Sequence, residues 1–228
     1  MPPAIQAAVD SPDRPEADRA LDAGRHPAEI LAFLGVAPGM KVAELMAGGG
    51  YTSELLARVV GADGTVYGEN SKFVLEKFAE KAWSERLARP GLERVVRADR
   101  ELEDPLPPEA KDLDLVVAHL VYHDFYWMEA DRAKMNAAIF AALAPGGQYA
   151  IIDHAAAPGA GATAVKTLHR IEESEVVKDV EAAGFVLDRE GDFLRNPDDH
   201  HDWNAAPGAS GDKRGTSDRF VLVFRKPA

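Results

Sequence analysis

Apolar residues along the chain fall into short dense runs, and each run ends in a turn signal. The sharpest run, Val42-Ala43-Glu44-Leu45-Met46, reads as a buried strand that passes straight into Ala47-Gly48-Gly49-Gly50. A helix follows, with Leu55, Leu56, Val59 and Val60 on one face and Gly61 as its stop signal. Upstream, His26-Pro27 opens a helix whose apolar face is Ile30, Leu31 and Leu34. Downstream, Ala62-Asp63-Gly64 turns into a second strand over residues 65–69, and Ser71 caps an amphipathic helix running to about residue 88. Further strands are predicted over residues 95–99, 113–118, 148–153, 185–188 and 220–224. A helix over residues 131–143 and another, capped by Ser174 and ending at Gly184, fill the gaps between them. The first 25 residues are polar, with a short helix around residues 16–22, and read as an arm that could close over a ligand.

This alternation predicts an α/β fold: a mostly parallel seven-stranded sheet with helices on both faces. The last strand is apolar on both sides, which places it inside the sheet. Its link to the strand before it holds no helix, so it should run antiparallel. The expected organisation is an arm over residues 1–25 and one domain over residues 26–228. Hydrophobic residues make up 46% of the chain, enough for one core. The net charge of −12 disfavours a phosphate backbone as partner, so a small-molecule substrate is expected and a nucleic acid is not. No cysteine is present, which removes disulfides, thiolate metal sites and cysteine nucleophiles. The N-terminus has no signal-peptide pattern, and no stretch approaches the length of a membrane span. The expectation is a cytoplasmic protein, a monomer or a homodimer.

Glycines at a strand–helix turn give a ligand close access to the backbone, and the helix start offers free N–H groups. A dinucleotide turn wants glycine where Ser53 stands. Glu69, nineteen residues beyond Gly50, suits a ribose diol in any nucleoside cofactor. No tyrosine is followed four residues later by lysine, which counts against a short-chain NAD(P)-dependent oxidoreductase, the alternative reading.

Residues 42–52 resemble the first motif of class I S-adenosylmethionine-dependent methyltransferases, an acid followed by small residues at alternate positions: Glu44, Met46, Gly48, Gly50, with Met46 in place of the usual first glycine. Gly146-Gly147 before the fifth strand and the closing strand fit as well, so the resemblance covers about residues 26–190 and the last strand. Residues 168–171 and 219–222 resemble a narrower group of bacterial methyltransferases of unknown substrate. The resemblance implies a Rossmann-like methyltransferase fold and S-adenosyl-L-methionine as cofactor. By the same resemblance the cofactor would be held by Glu44, Met46, Gly48, Gly50 and Tyr51 in the first motif, Glu69 at the ribose, Asp99 at the adenine and His119 along one side.

Methyl transfer needs an aligned acceptor and, where the acceptor carries a proton, a base. His123 and His154 are the candidate bases, with Asp153, beside His154, placed to orient a ring. Tyr122, Tyr126 and Trp127, with Phe125, are candidates for an aromatic wall that binds a flat acceptor. Asp198-Asp199-His200-His201-Asp202 reads as a solvated loop, because adjacent histidines are poor joint ligands, and no metal is expected. The function expected is O- or N-methylation of a small molecule, the rival outside enzymes being a binding module that only holds the cofactor.

Overall fold

The structure, a computed structural model, describes residues 1–228. The chain opens with α1 (Pro3–Val9), two single helical turns, α2 (Glu16–Arg19) and α3 (Asp22–Arg25), and then α4 (Pro27–Phe33). β1 (Lys41–Leu45) leads through the glycine turn into α5 (Tyr51–Val60) and β2 (Thr65–Asn70). α6 (Lys72–Val74), a π-helical stretch (Leu75–Ala79) and α7 (Glu80–Leu87) precede β3 (Val95–Asp99). β4 (Leu113–His119), α8 (Tyr122–Trp127), α9 (Arg132–Ala142) and β5 (Leu143–His154) follow. The chain closes with α10 (Val165–Leu168), α11 (Glu173–Ala182), β6 (Val186–Gly191) and β7 (Arg219–Arg225). No helix is long and apolar enough to cross a membrane.

The seven strands form one sheet in the order β3-β2-β1-β4-β5-β7-β6. The first five pair in parallel, and β7 runs antiparallel to both β5 and β6. β7 therefore lies between two strands, as its two apolar faces require. Alternate residues feed the two faces. Val42, Leu115, Ile152 and Val221 pack under α1, α4 and α5, while Ala43, Val116, Ile151 and Leu222 pack under α8, α9 and α11. Each large side chain fully buried this way contributes about 1.5–3 kcal/mol. The order reverses between β1 and β4, one leading outward to β2 and the other to β5. A crevice opens beyond their carboxyl ends, the place where open α/β sheets bind ligands.

Several elements differ from the sequence expectation. The arm is not separate from the domain: Ile5 and Ala8 of α1 are buried in the same core as α4 and α5. The single helix expected over residues 16–22 is two one-turn pieces, each too short to bury a residue. The helix after Ser71 is capped as expected, since Ser71 Oγ accepts the Val74 N–H. It then widens into the π-helical stretch, which brings Val74, Ala79 and Trp83, spaced five and four apart, onto one buried face. Glu172, not Ser174, occupies the N-cap of α11. The acidic segment around residue 199 is not a purely solvated loop. Asp199 is buried and accepts from Arg170 Nη1 at 2.8 Å, from Trp203 Nε1 at 2.8 Å and from the Asp218 N–H at 2.6 Å.

Candidate active site

The wall built by β1 and β2 rests on an unusual backbone. Met46, Gly48 and Gly50 all have positive φ, at 45°, 56° and 80°. Such angles cost an ordinary side chain about 1–2 kcal/mol, so Met46 is strained where a glycine would be relaxed. The loop is fixed from behind. Glu69 Oε2 accepts the Met46 N–H at 2.9 Å, and the Glu69 carbonyl accepts the Ala47 N–H at 2.7 Å. Asn70 Oδ1 accepts the Gly48 N–H at 2.8 Å and its Nδ2 donates to the Gly48 carbonyl at 3.1 Å.

The glycines serve different ends. A Cβ on Gly48 would meet nothing nearer than the Met46 carbonyl at 4.0 Å, so that position is glycine for its backbone angle. A Cβ on Gly50 would stand 2.4 Å from Trp83 Cζ3, and one on Gly68 2.5 Å from Trp83 Cη2. Packing of the fully buried Trp83 demands these two glycines. Gly50 is thus glycine for packing as well as for its backbone angle, and not for access of a ligand.

In the crevice lies a cavity of about 760 Å³, within the range of small-molecule sites. Glu44, Met46, Gly48, Gly49 and Tyr51 line one side, and His119, His123, Asp124 and Trp127 the other. His154 and His169 close it from β5 and from the end of α10. Asp18, Leu21 and Arg25 of the arm line it as well. The arm is tied down there: Tyr51 donates to Asp22 Oδ1 at 2.5 Å, Arg14 grips the same carboxylate at 2.7 Å, and Arg86 donates to Asp18 at 2.7 Å. Arg25 stacks 4.3 Å above the Tyr51 ring.

Other expected residues lie elsewhere. Gly50, Glu69 and Asp99 do not line the cavity. Glu69 is fully buried behind the loop, and Asp99 is exposed with its carboxylate held by Arg97 at 2.7 Å. Tyr122 belongs to the core, its hydroxyl accepting from Asn136 at 3.2 Å. Tyr126 donates to Asp179 at 2.7 Å beneath Arg132, away from the cavity. The cause is helical: α8 turns residues 122, 125 and 126 inward and leaves residues 123, 124 and 127 on the crevice. The aromatic rim that does form is Trp127 with Phe73, whose ring centroids are 6.1 Å apart, and Phe78 beside them.

The histidines differ in their surroundings. The ring that Asp153 orients is that of His123: Asp153 Oδ1 lies 2.8 Å from His123 Nδ1 and its Oδ2 accepts the His123 N–H at 2.7 Å. Burial works against the His123 imidazolium, but Asp153 outweighs it and the pKa rises. The other nitrogen, Nε2, faces His169 Nδ1 at 3.2 Å. His154 Nδ1 meets Ser217 Oγ at 2.7 Å, and burial, then the neighbouring His123 and Arg219, hold that ring neutral. His119 Nδ1 meets Thr52 Oγ1 at 3.0 Å, its Nε2 has no partner, and burial lowers its pKa strongly. Glu44, hydrogen-bonded by Ser53, is pushed up to about 7 by burial.

A second chamber of about 190 Å³ adjoins the first and shares Leu21, Arg25, Leu120 and His154 with it. Arg25, Arg214 and Arg219 all line it, and none of the three makes an ion pair. Arg219 is 4% exposed with its Nε unpartnered, and burial, followed by the charge of Arg25, lowers its pKa to about 10. Sequence reasoning missed this cluster and missed His169. For His169 and Arg219 the one signal was the resemblance of residues 168–171 and 219–222 to one methyltransferase group; Arg25 and Arg214 had none.

No protein-family model matches the sequence, and no curated protein matches it. Solved structures do. A S-adenosylmethionine-dependent methyltransferase from Aquifex aeolicus superposes with a TM-score of 0.66 at 18% identity, over 96% of this chain and 97% of that one. The fold is that of the class I S-adenosylmethionine-dependent methyltransferases. A second such enzyme, from Mesorhizobium loti, gives a TM-score of 0.60 at 15% identity over 90% of this chain and 99% of its own. Fibrillarin from Aeropyrum pernix, crystallised with natively bound S-adenosyl-L-methionine, gives 0.52 at 14% over 83% and 67%. At these identities the match establishes the methyltransferase fold, and the chemistry has to come from the site.

Proposed function

We propose that the protein is a S-adenosylmethionine-dependent methyltransferase acting on a small acceptor that carries a carboxylate or phosphate group. The observation behind this reading is that the two cavities lie side by side and share lining residues. The glycine-loop wall and a neutral histidine border the larger cavity, and three arginines that make no ion pair border the smaller one beside it. The cofactor brings an electrophilic methyl group on a sulfonium. The cradle fits its amino-acid end: Glu44 faces the cavity, the Gly48 and Gly49 backbone is open to it, and His119 Nε2 is a buried nitrogen lacking a partner. Glu69 supports that loop from behind and does not face the ligand, and Asp99 has no part in the pocket.

The remaining residues handle the acceptor. Arg25, Arg214 and Arg219 supply donors suited to an anion in a partly desolvated chamber. His154 stands where the two cavities meet. With its proton on Nδ1, donated to Ser217 Oγ, the ring presents a bare Nε2 to take the proton of a hydroxyl or amine. His123 is less suited to that task, because its outer nitrogen is turned to His169.

The first test is calorimetric titration with S-adenosylhomocysteine, NADH and NADPH. Micromolar binding of the first alone supports the assignment. Binding of a nicotinamide nucleotide instead would replace methyl transfer by an oxidoreductase reading. Product formation with a small acid acceptor separates an enzyme from a module that only holds the cofactor.

A further inference from the structure

The mouth of the cavity holds a group of side chains that methyl transfer alone does not use. His123 Nε2 and His169 Nδ1 are 3.2 Å apart. Asp124 Oδ1 lies 3.4 Å from the first and 3.5 Å from the second. These are the three sides of a nearly equilateral triangle. Four ligands placed tetrahedrally about 2.0–2.1 Å from an ion are separated by about 3.3–3.4 Å. An octahedral cation with bonds of similar length needs about 3.0 Å, and the small hard cations that favour it prefer oxygen donors.

We propose that His123, Asp124 and His169 form a binding site for a single divalent transition-metal ion of the zinc type, with its fourth position open to the acceptor cavity. All three residues line that cavity. His123 is oriented as a ligand is: its Nδ1–H donates to Asp153 at 2.8 Å, which turns Nε2 toward the triangle. His169 is held in place at a conformational cost, with φ at 49° at the end of the four-residue α10. The donor set is nitrogen and oxygen only, as a chain without cysteine requires. The spacing rules for zinc motifs do not find this site, because 46 residues separate the two histidines.

The binding site stands without reference to any reaction, but its use rests on the methyl-transfer reading. An acceptor oxygen in the open fourth position would be polarised, and its proton would pass to His154 Nε2. The deprotonated acceptor oxygen would then form the new bond to the methyl carbon as the carbon–sulfur bond breaks and a neutral thioether leaves.

The test uses the full-length, untagged protein after treatment with a chelator. Titration with zinc, followed by calorimetry, and with cobalt(II), followed by visible absorption, should each saturate at one equivalent per chain. Bound cobalt should show the strong visible bands of tetrahedral coordination. His169→Ala and Asp124→Asn should each weaken zinc binding at least tenfold, and Asp153→Asn by about ten- to a hundredfold. His200→Ala should leave it unchanged. Circular dichroism of each variant confirms folding, and His169→Asn replaces His169→Ala if the latter fails to fold. Absence of a stoichiometric site, or zinc affinity unchanged in the folded His169 variant, overturns the proposal. S-adenosylhomocysteine binding is measured separately on the metal-free protein. Loss of that binding with an intact zinc site removes the methyl-transfer reading alone.

Discussion

Glu69 should make the protein less stable as the pH rises, and one substitution should abolish that behaviour. Its side chain is fully buried. Oε2 accepts one hydrogen bond from the Met46 N–H at 2.9 Å, and Oε1 has no partner. Burial therefore pushes its pKa up from 4.5 to about 8, with Glu101 and Asp99 adding to the rise and the Met46 N–H opposing it. Between these two values the folded protein keeps the Glu69 proton and the unfolded chain has lost it. The unfolded state then binds fewer protons, so stability falls as pH rises, by about 1.4 kcal/mol per unit across that window. The contribution is complete below pH 4.5 and gone above about 8. From pH 5 to pH 8 the full slope gives about 4 kcal/mol; local relaxation reduces it, so about 2–4 kcal/mol is expected. Glu69→Gln is neutral throughout and can still accept from Met46. Urea unfolding of both proteins, followed by circular dichroism at pH 5 and pH 8, isolates the effect, because all other titrations cancel in the difference. The variant should gain about 2–4 kcal/mol on the wild type over that interval. A difference constant to within about 0.5 kcal/mol would show that Glu69 is ionised when folded and that the loop rests on a charge.

Four further substitutions test other parts of the structure. Gly50→Ala should destabilise by about 2–4 kcal/mol, combining a positive φ with overpacking against Trp83. Gly48→Ala, with open space around it, should lose only about 1–2 kcal/mol, and equal denaturation midpoints for the two would refute the packing argument. Arg170→Met leaves the buried Asp199 carboxylate without its counter-ion and should cost about 3–5 kcal/mol in unfolding free energy. Arg219→Met removes a buried, unpaired cation, so it should raise stability by about 1–2 kcal/mol while raising KM for an anionic acceptor at least tenfold. A KM that stays put would take Arg219 out of the acceptor site.

The sheet was legible because its strands are short apolar runs punctuated by glycine and proline. The apolar faces of residues 220–224 were enough to place β7 inside it. The arm was less so. α1 (Pro3–Val9) is a short apolar run with Gln6 as its one polar residue, joined to a polar stretch, and its packing of Ile5 and Ala8 onto α4 and α5 makes it a helix worth forming. Residues 122–127 were read by composition as one aromatic wall, but a helix distributes neighbours around its axis. Three of the four aromatics went to the core or beneath Arg132, and His123, Asp124 and Trp127 took the crevice. Asp199 shows the same limit. A run of charges reads as solvated until a buried arginine from a distant segment meets one of them. His169, Arg214 and Arg219 enter the site through chain crossings between α10, β7 and the loop before it, which no local pattern encodes.

The segment over the crevice also has a kinetic consequence. Between α1 and α4 it is fastened by ionic and polar contacts: Arg14 with Asp22, Tyr51 with Asp22, Arg86 with Asp18 and Arg58 with Ser11. Neither of its short helical turns buries a residue. These pairs are largely withdrawn from solvent, with the Arg14 side chain 1% and the Arg86 side chain 12% exposed, so mobile ions screen them only weakly. The strap therefore stays fastened across ordinary changes of salt, and a ligand beneath it leaves only when these contacts break together, an opening that spares the core holding the sheet.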